Sequence, residues 1–332
     1  NPMKSLVSSL SAITLYLVNL KTPQETINKL IMIVIAYNMV DLQNLIPAKE
    51  SCIDIIRICY FKNDRFNVIK YAQAMMQSGY EVFMQPMDTL GYTDFEMLEM
   101  IQEINKLNPK ALYIVDSYGS MYTEDLDRMY SLMNHNLKPE ISIGLHSHNN
   151  LQLSFMLVQR IIELGQENRN IIVDSSCCGI GRGAGNANTE LIVDYLIRKK
   201  NKNYDINEIL DILDTYILKI QQEHSWGYSV PYFISGMYSV HVNNISYLLN
   251  KHNLKAKDMR IIISNIDKNS DKRYDYEKLE ADFTLFSVYA VAKFDSTRAI
   301  HHAKPRKLFD IDSVPEIMEF IKEVKNRVFD NV

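Results

Sequence analysis

The sequence predicts an α/β fold built on a parallel sheet, followed by a mostly helical C-terminal region. Two observations predict it. Between residues 30 and 203, short apolar runs rich in Ile, Val and Tyr alternate with stretches of helical periodicity. Beyond Asn203 that alternation stops and helix-like stretches follow one another. The composition is that of a globular protein. Of 332 residues, 47% are hydrophobic, 10% aromatic and 23% charged, which excludes a disordered chain, a collagen and a coiled coil.

In chain order, the candidate strands are Leu30–Tyr37, Ile53–Tyr60, Tyr80–Pro86, Ala111–Asp116, Ile141–His148 and Ile171–Ser175. Each is short and mostly apolar, as strands covered on both faces must be. The helix Tyr92–Leu107 opens with Thr93 and carries Glu96 three residues later, a capping-box pattern. Tyr122–Met133, Leu151–Leu164 and Glu190–Lys200 are the next helices. Past Asn203, Ile206–His224 and Ile245–Asn250 read as helices, Asn269–Tyr276 as a polar loop and Pro315–Val328 as a last helix. The expected division is an unassigned segment 1–29, a sheet-bearing domain 30–203, and a helical region 204–332 whose tail beyond Leu285 is unassigned.

The most membrane-like stretch is Ser5–Leu20, between Lys4 and Lys21. It contains four Ser, a Thr and an Asn, and a spanning helix needs ~20 apolar residues. A signal segment after a basic residue is the lesser alternative, because no small-residue cleavage site follows, and a strand or helix packed on a core is the expected reading. The chain opens on Asn1, which suggests that residues precede it or that Met3 is the natural start. Thirty-six Lys and Arg against forty Asp and Glu give a net charge of −4, so neither nucleic acid nor a membrane is an expected partner. Four Cys are too few for a disulfide scaffold and point to a reducing, cytoplasmic setting.

Four segments carry chemistry. In GLHSHNN (144–150), His146 and His148 stand two apart on a strand, so both imidazoles share a face near the strand's C-terminal end, where parallel α/β folds place their sites. Such a pair suits a divalent metal, and it also suits two packed histidines. DSSCCGIGRGAGNANTE (174–190) joins an apolar strand to a helix. Its Gly179, Gly181, Gly183 and Gly185 let backbone approach a ligand, and its amides favour an anion. Gly179-x-Gly181-x-x-Ala184 formally matches a dinucleotide fingerprint, but the helices that follow do not supply the second strand and acid which that motif requires. Cys177 and Cys178 are adjacent, a poor spacing for zinc, and read as small buried residues. VDSYGSM (115–121) puts Asp116 and Ser117 on the same rim as the histidines, at a strand end where such residues are also ordinary turn formers. HSWGYSVPY (224–232) holds the lone Trp226, followed by Gly227 and Tyr228.

The order of these segments is more specific than any one of them. A strand ending in DSxG, one ending in HxHNN, one running into a glycine loop with Asn186, then a GY segment, resembles the metal-dependent pyruvate aldolases of the 4-hydroxy-2-oxovalerate aldolase group. These belong to the 3-hydroxy-3-methylglutaryl-CoA lyase-like superfamily. The resemblance runs from about Leu30 to Asn250 and is strongest from Gln85 to Tyr232. It implies a (β/α)8 TIM barrel, here incomplete or degenerate at the N-terminus. His146, His148 and Asn186 match metal ligands. Ser117, with Asp116 and Gly183 beside the site, matches substrate-binding positions. Tyr228 matches the acid/base at the aldol hydroxyl. The implied cofactor is a divalent ion, Mn²⁺ first, with Mg²⁺ or Co²⁺ as alternatives. The implied substrate is a small 2-oxo acid, and a homo-oligomer or a partner dehydrogenase is expected.

The chain departs from that pattern at its start. The acid and Arg of the family's first strand are not found, and residues 1–30 contain one acid, Glu25. Six strands are recognisable where a barrel has eight, and Ala12–Val18 is the one candidate substitute. The expected function is therefore metal-dependent retro-aldol cleavage. The alternatives are a non-catalytic barrel or an acyl-CoA lyase or condensing enzyme of the same superfamily.

Overall fold

The computed structural model describes residues 31–34, 37–165, 169–252, 254–266 and 276–285. The chain divides into two compact units, Asn1–Ser239 and Val240–Val332. In the first unit, six parallel strands form one sheet in sequence order. They are β1 (Ile31–Val34), β2 (Ile55–Tyr60), β3 (Glu81–Pro86), β4 (Ala111–Asp116), β5 (Ser142–Ser147) and β6 (Ile171–Val173). Helices α1 (Ile69–Gln77), α2 (Asp94–Leu107), α3 (Thr123–Asn136) and α4 (Ser154–Leu164) fill the crossovers from β2 to β6, and α5 (Thr189–Lys200) follows β6. Parallel strands need such crossovers, and strands paired in strict sequence order make the wall of a (β/α) barrel. Among the described residues β1 and β6 are the edges of that wall.

The side-chain period of two splits the sheet into two different faces. On the helix side, Ile56, Ile58, Met84, Leu112, Ile114, Ile143 and Leu145 join Met100, Met129 and Ile161 in one continuous apolar core. On the inner side a smaller cluster holds Ile55, Phe83, Ala111, Tyr113, Val115 and Ile172. Arg57, Gln85, His146 and Asp174 alternate with the helix-side residues and so fall on this inner side.

The helix α2 starts as its sequence predicts: the Thr93 hydroxyl accepts from the Glu96 amide at 3.2 Å, and a Glu96 carboxylate oxygen accepts from the Thr93 amide at 2.9 Å. The stretch Ile206–His224 is helical but not uniform. It runs as α6 (Ile206–Ile212), one π turn (Leu213–Ile217) and α7 (Leu218–Glu223). Leu213 and Ile217, at the two ends of that turn, both pack with Cys177 beside Trp226. α8 (Val230–Tyr238) lies where sequence reading saw only a motif; Ser229 caps it and Pro231 stands in its first turn. The first compact unit thus extends past the boundary expected at residue 203.

In the second unit, α9 (Val242–His252) begins three residues before the expected Ile245, and α10 (Ala256–Ser264) was not expected. Tyr276, expected in a loop, is helical, as are residues 277–285. The readings of Ser5–Leu20, Ala12–Val18, Pro315–Val328 and the tail beyond Leu285 fall outside the described residues. No helix among the described residues is long and apolar enough to cross a membrane.

Candidate active site

His146 and His148 stand side by side on the inner face at the C-terminal end of β5, with ring centroids 5.0 Å apart in an edge-on arrangement. Gly144 makes room two residues earlier: a Cβ there would sit 2.6 Å from the Tyr113 ring. Each imidazole is held through Nδ1. His146 Nδ1 lies 2.8 Å from Asp174 Oδ2, and His148 Nδ1 lies 2.9 Å from the Asp116 carbonyl oxygen. Both partners accept, so in the neutral rings Nδ1 carries the hydrogen and Nε2 the lone pair. A carboxylate or carbonyl behind the ring is how ligating histidines are oriented.

Asp174, just past β6, links this pair to a buried cation. Its Oδ2 also accepts from Arg57 Nη1, and its Oδ1 accepts from the Tyr113 hydroxyl at 3.4 Å. The Arg57 guanidinium lies 5.1 Å from the centre of the Tyr113 ring. Arg57 is 1% exposed and Asp174 5%. Burial alone would push the Asp174 carboxyl up, but the adjacent Arg57 charge and the His146 hydrogen bond outweigh it and hold Asp174 below the usual range. Arg57 likewise stays charged: burial works against it, and the Asp174 charge more than offsets that.

Sequence reading singled out neither residue, although both left a signal. Arg57 is a lone charge between Ile56 and Ile58 in an apolar strand, and a buried charge must be paired. Asp174 ends the run IIVD.

The glycine loop closes over the same strand ends. Asn186 forms an isolated antiparallel bridge with His148, and the Asn149 amide donates to the Gly185 carbonyl at 2.8 Å. Gly185 has φ +82°, and a Cβ there would lie 2.0 Å from the Gly179 carbonyl oxygen, so no side chain fits. Asn186 Nδ2 donates to the Ile180 carbonyl at 3.0 Å, which leaves the amide oxygen as the atom suited to a ligand. Gly183 accepts from the Gly227 amide at 3.1 Å, and Trp226 Nε1 donates to the Cys178 carbonyl at 2.9 Å. Cys177 is buried and Cys178 half-buried; burial pushes the Cys178 thiol up to about 11.

The other expected site residues take different places. The Asp116 carboxylate faces its own loop, accepting from the Ser120 amide at 2.8 Å and the Met121 amide at 3.2 Å. Burial pushes its pKa up to about 7 against the pull of those amides. The Ser117 hydroxyl accepts from the Asp88 amide at 2.7 Å. Asp116 and Ser117 therefore build the rim beside His148. Tyr228 is 60% exposed: the GY segment docks through Gly227 and Trp226, and the Tyr ring lies outside the buried set.

Among the described residues no three His, Cys, Asp or Glu side chains group as metal ligands. What the inner face supplies is two pre-oriented imidazoles, with Asn186 bridged to His148 through the backbone. That donor set fits a borderline transition ion better than Mg²⁺, which favours carboxylates.

Residues 48–215 match the HMGL-like family, and the chain belongs to it. Among curated relatives, it is 28% identical over 145 residues to a 4-hydroxy-2-oxovalerate aldolase of Pseudoalteromonas translucida, a match covering 41% of each chain. It is 23% identical over 197 residues to an oxaloacetate decarboxylase of Mycobacterium tuberculosis, covering 58% of this chain and 56% of that protein. The chain thus spans less than two thirds of the length of these relatives. Among solved structures, the N-terminal domain of a candidate aldolase from Bacteroides vulgatus superposes with a TM-score of 0.58 at 20% identity, over 76% of this chain and 90% of that one. The fold is of the (β/α) barrel kind, with six parallel strands of the barrel wall among the described residues.

Proposed function

We propose that this chain is a lyase that breaks the C3–C4 bond of a small 2-oxo acid, acting on a 4-hydroxy-2-oxo acid to give pyruvate and an aldehyde. The observation that carries the reading is the linked set His148, His146, Asp174 and Arg57 on the inner face, beneath a glycine loop, in a member of the HMGL-like family.

In the cleavage, a base removes the 4-hydroxyl proton and the aldehyde carbonyl forms. The C3–C4 electron pair passes to the pyruvate enolate, which then takes a proton at C3. A divalent ion held by His146, His148 and Asn186, Mn²⁺ in the first instance, would supply Lewis acidity at the 2-oxo group. Asp174 fixes the orientation of His146 by accepting from Nδ1. Arg57 keeps positive charge on the face where enolate charge develops, in a setting shielded from water. The amides around Gly183 are suited to the substrate carboxylate. Tyr228 is the group proposed to pass the proton at the aldol hydroxyl, and its exposure requires that the segment carrying it close over bound substrate.

The similarity to an oxaloacetate decarboxylase supports a second reading, which shares the chemistry. Loss of CO₂ from oxaloacetate breaks the same C3–C4 bond and leaves the same enolate. The test is pyruvate release, followed through lactate dehydrogenase, from 4-hydroxy-2-oxovalerate and from oxaloacetate with and without Mn²⁺. Mn²⁺-dependent release from the hydroxy acid supports the aldolase reading. Release from oxaloacetate alone replaces it with the decarboxylase, and release from neither overturns both.

A further inference from the structure

Gln85 is the fifth residue of β3 and is 6% exposed, and its Oε1 is buried with no hydrogen-bond partner among the described residues. Period two puts it on the inner face with Phe83, while Val82 and Met84 belong to the helix-side core. The Phe83 ring packs 5.8 Å from Tyr113, whose hydroxyl reaches Asp174. Gln85 stands one step further along that face, toward the strand ends where the two histidines and the glycine loop gather. A buried amide oxygen without a donor opposes folding unless something fills it, and an apolar residue of the same size would avoid that cost.

We propose that Gln85 reads the hydroxyl group of the substrate, selecting a hydroxylated 2-oxo acid over one that carries a carboxylate in that place. The chemistry is directional. An amide oxygen accepts from a hydroxyl, and it repels the oxygens of a carboxylate. A carboxamide does not take protons in the working pH range, so Gln85 orients the hydroxyl and sets specificity while another group removes the proton. The inference rests on the 2-oxo acid reading above and decides between its two versions, favouring the aldol substrate.

The test uses two ligands that the enzyme cannot cleave, because neither has a 2-oxo group: 2,4-dihydroxypentanoate and 2-hydroxypentanoate, which lacks the 4-hydroxyl. Their dissociation constants are measured by calorimetry on the full chain in Mn²⁺ and on Gln85→Met, with folding checked by circular dichroism. The parent is expected to bind the dihydroxy acid about 10-fold more tightly, one hydrogen bond's worth. In Gln85→Met the two constants are expected to converge, with 2-hydroxypentanoate unchanged. Should Gln85→Met fail to fold, Gln85→Asn keeps the amide, withdraws it by one methylene, and is expected to lose most of the preference. A preference that survives in the variant, no preference in the parent, or no binding of either acid each overturns the assignment. Pyruvate release from 4-hydroxy-2-oxovalerate is read on the same preparations. Preference without turnover keeps Gln85 and sinks the aldolase reading; turnover without preference does the reverse.

Discussion

The two faces of the same sheet are built on opposite terms. The helix side is continuous hydrocarbon, with Ile56, Met84, Leu112 and Ile143 packed against α1 to α5. The inner side has a smaller apolar cluster, and beside it a buried ion pair, two histidines and an amide oxygen with no partner among the described residues. Hydrocarbon burial holds the fold together wherever it occurs. Buried charge is costly unless paired and seldom stabilises relative to an apolar replacement. The proposed chemistry accounts for a chain that keeps Arg57 and Asp174 inside its sheet, where stability alone does not call for them.

Mutations can break that contrast, starting with the largest effect. Arg57→Met leaves Asp174 charged, buried and without its cation, and should cost about 3–5 kcal/mol in denaturant unfolding. Adding Asp174→Leu to it should recover part of that loss; a double variant that is no better than the single would mean the ion pair is not the cause. On the helix side, Leu112→Ala should cost about 2–5 kcal/mol through the cavity it leaves, while Mn²⁺ affinity of the folded protein stays at the parental value.

Gly144→Ala sharpens the comparison because its one methyl group lands inside the inner face. It would meet the Tyr113 ring, and should cost about 1–3 kcal/mol and lower pyruvate release as Tyr113 is pushed from Asp174. A further effect is on pH. The Asp116 pKa is raised by burial, so the folded state holds this proton more tightly than the unfolded chain does. That contribution to stability is complete below the unfolded value near 4 and is lost as pH rises through about 7. Against Asp116→Asn, the parent should therefore lose stability between pH 4 and 7, seen as a falling difference in melting temperature. A difference that stays flat or rises over that window contradicts the assignment.

Much of this arrangement could be read in the sequence, and the parts that could not have physical reasons. The parallel sheet was legible because buried strands must be apolar, and the histidine pair because period two puts residues 146 and 148 on one face. The Thr93/Glu96 cap was legible from two residues alone. Arg57 was passed over because its partner lies 117 positions away, and pairing across β2 and β6 exists only after folding. Asp116 sits at the expected rim, yet which way its carboxylate turns depends on the loop amides of Ser120 and Met121. Tyr228 was read by position in a motif, but its exposure follows from how Gly227 and Trp226 anchor the segment to the glycine loop. The π turn at Leu213–Ile217 answers to packing on Cys177, which no local pattern encodes.

The most direct test of the inner face as the functional one is a Mn²⁺ titration of the full chain beside the double variant His146→Ala/His148→Ala. The account predicts that the parent binds about one ion at roughly micromolar levels and that the variant does not. If the two titrate alike, the histidine pair holds no ion in this chain, and the polar inner face would need another explanation.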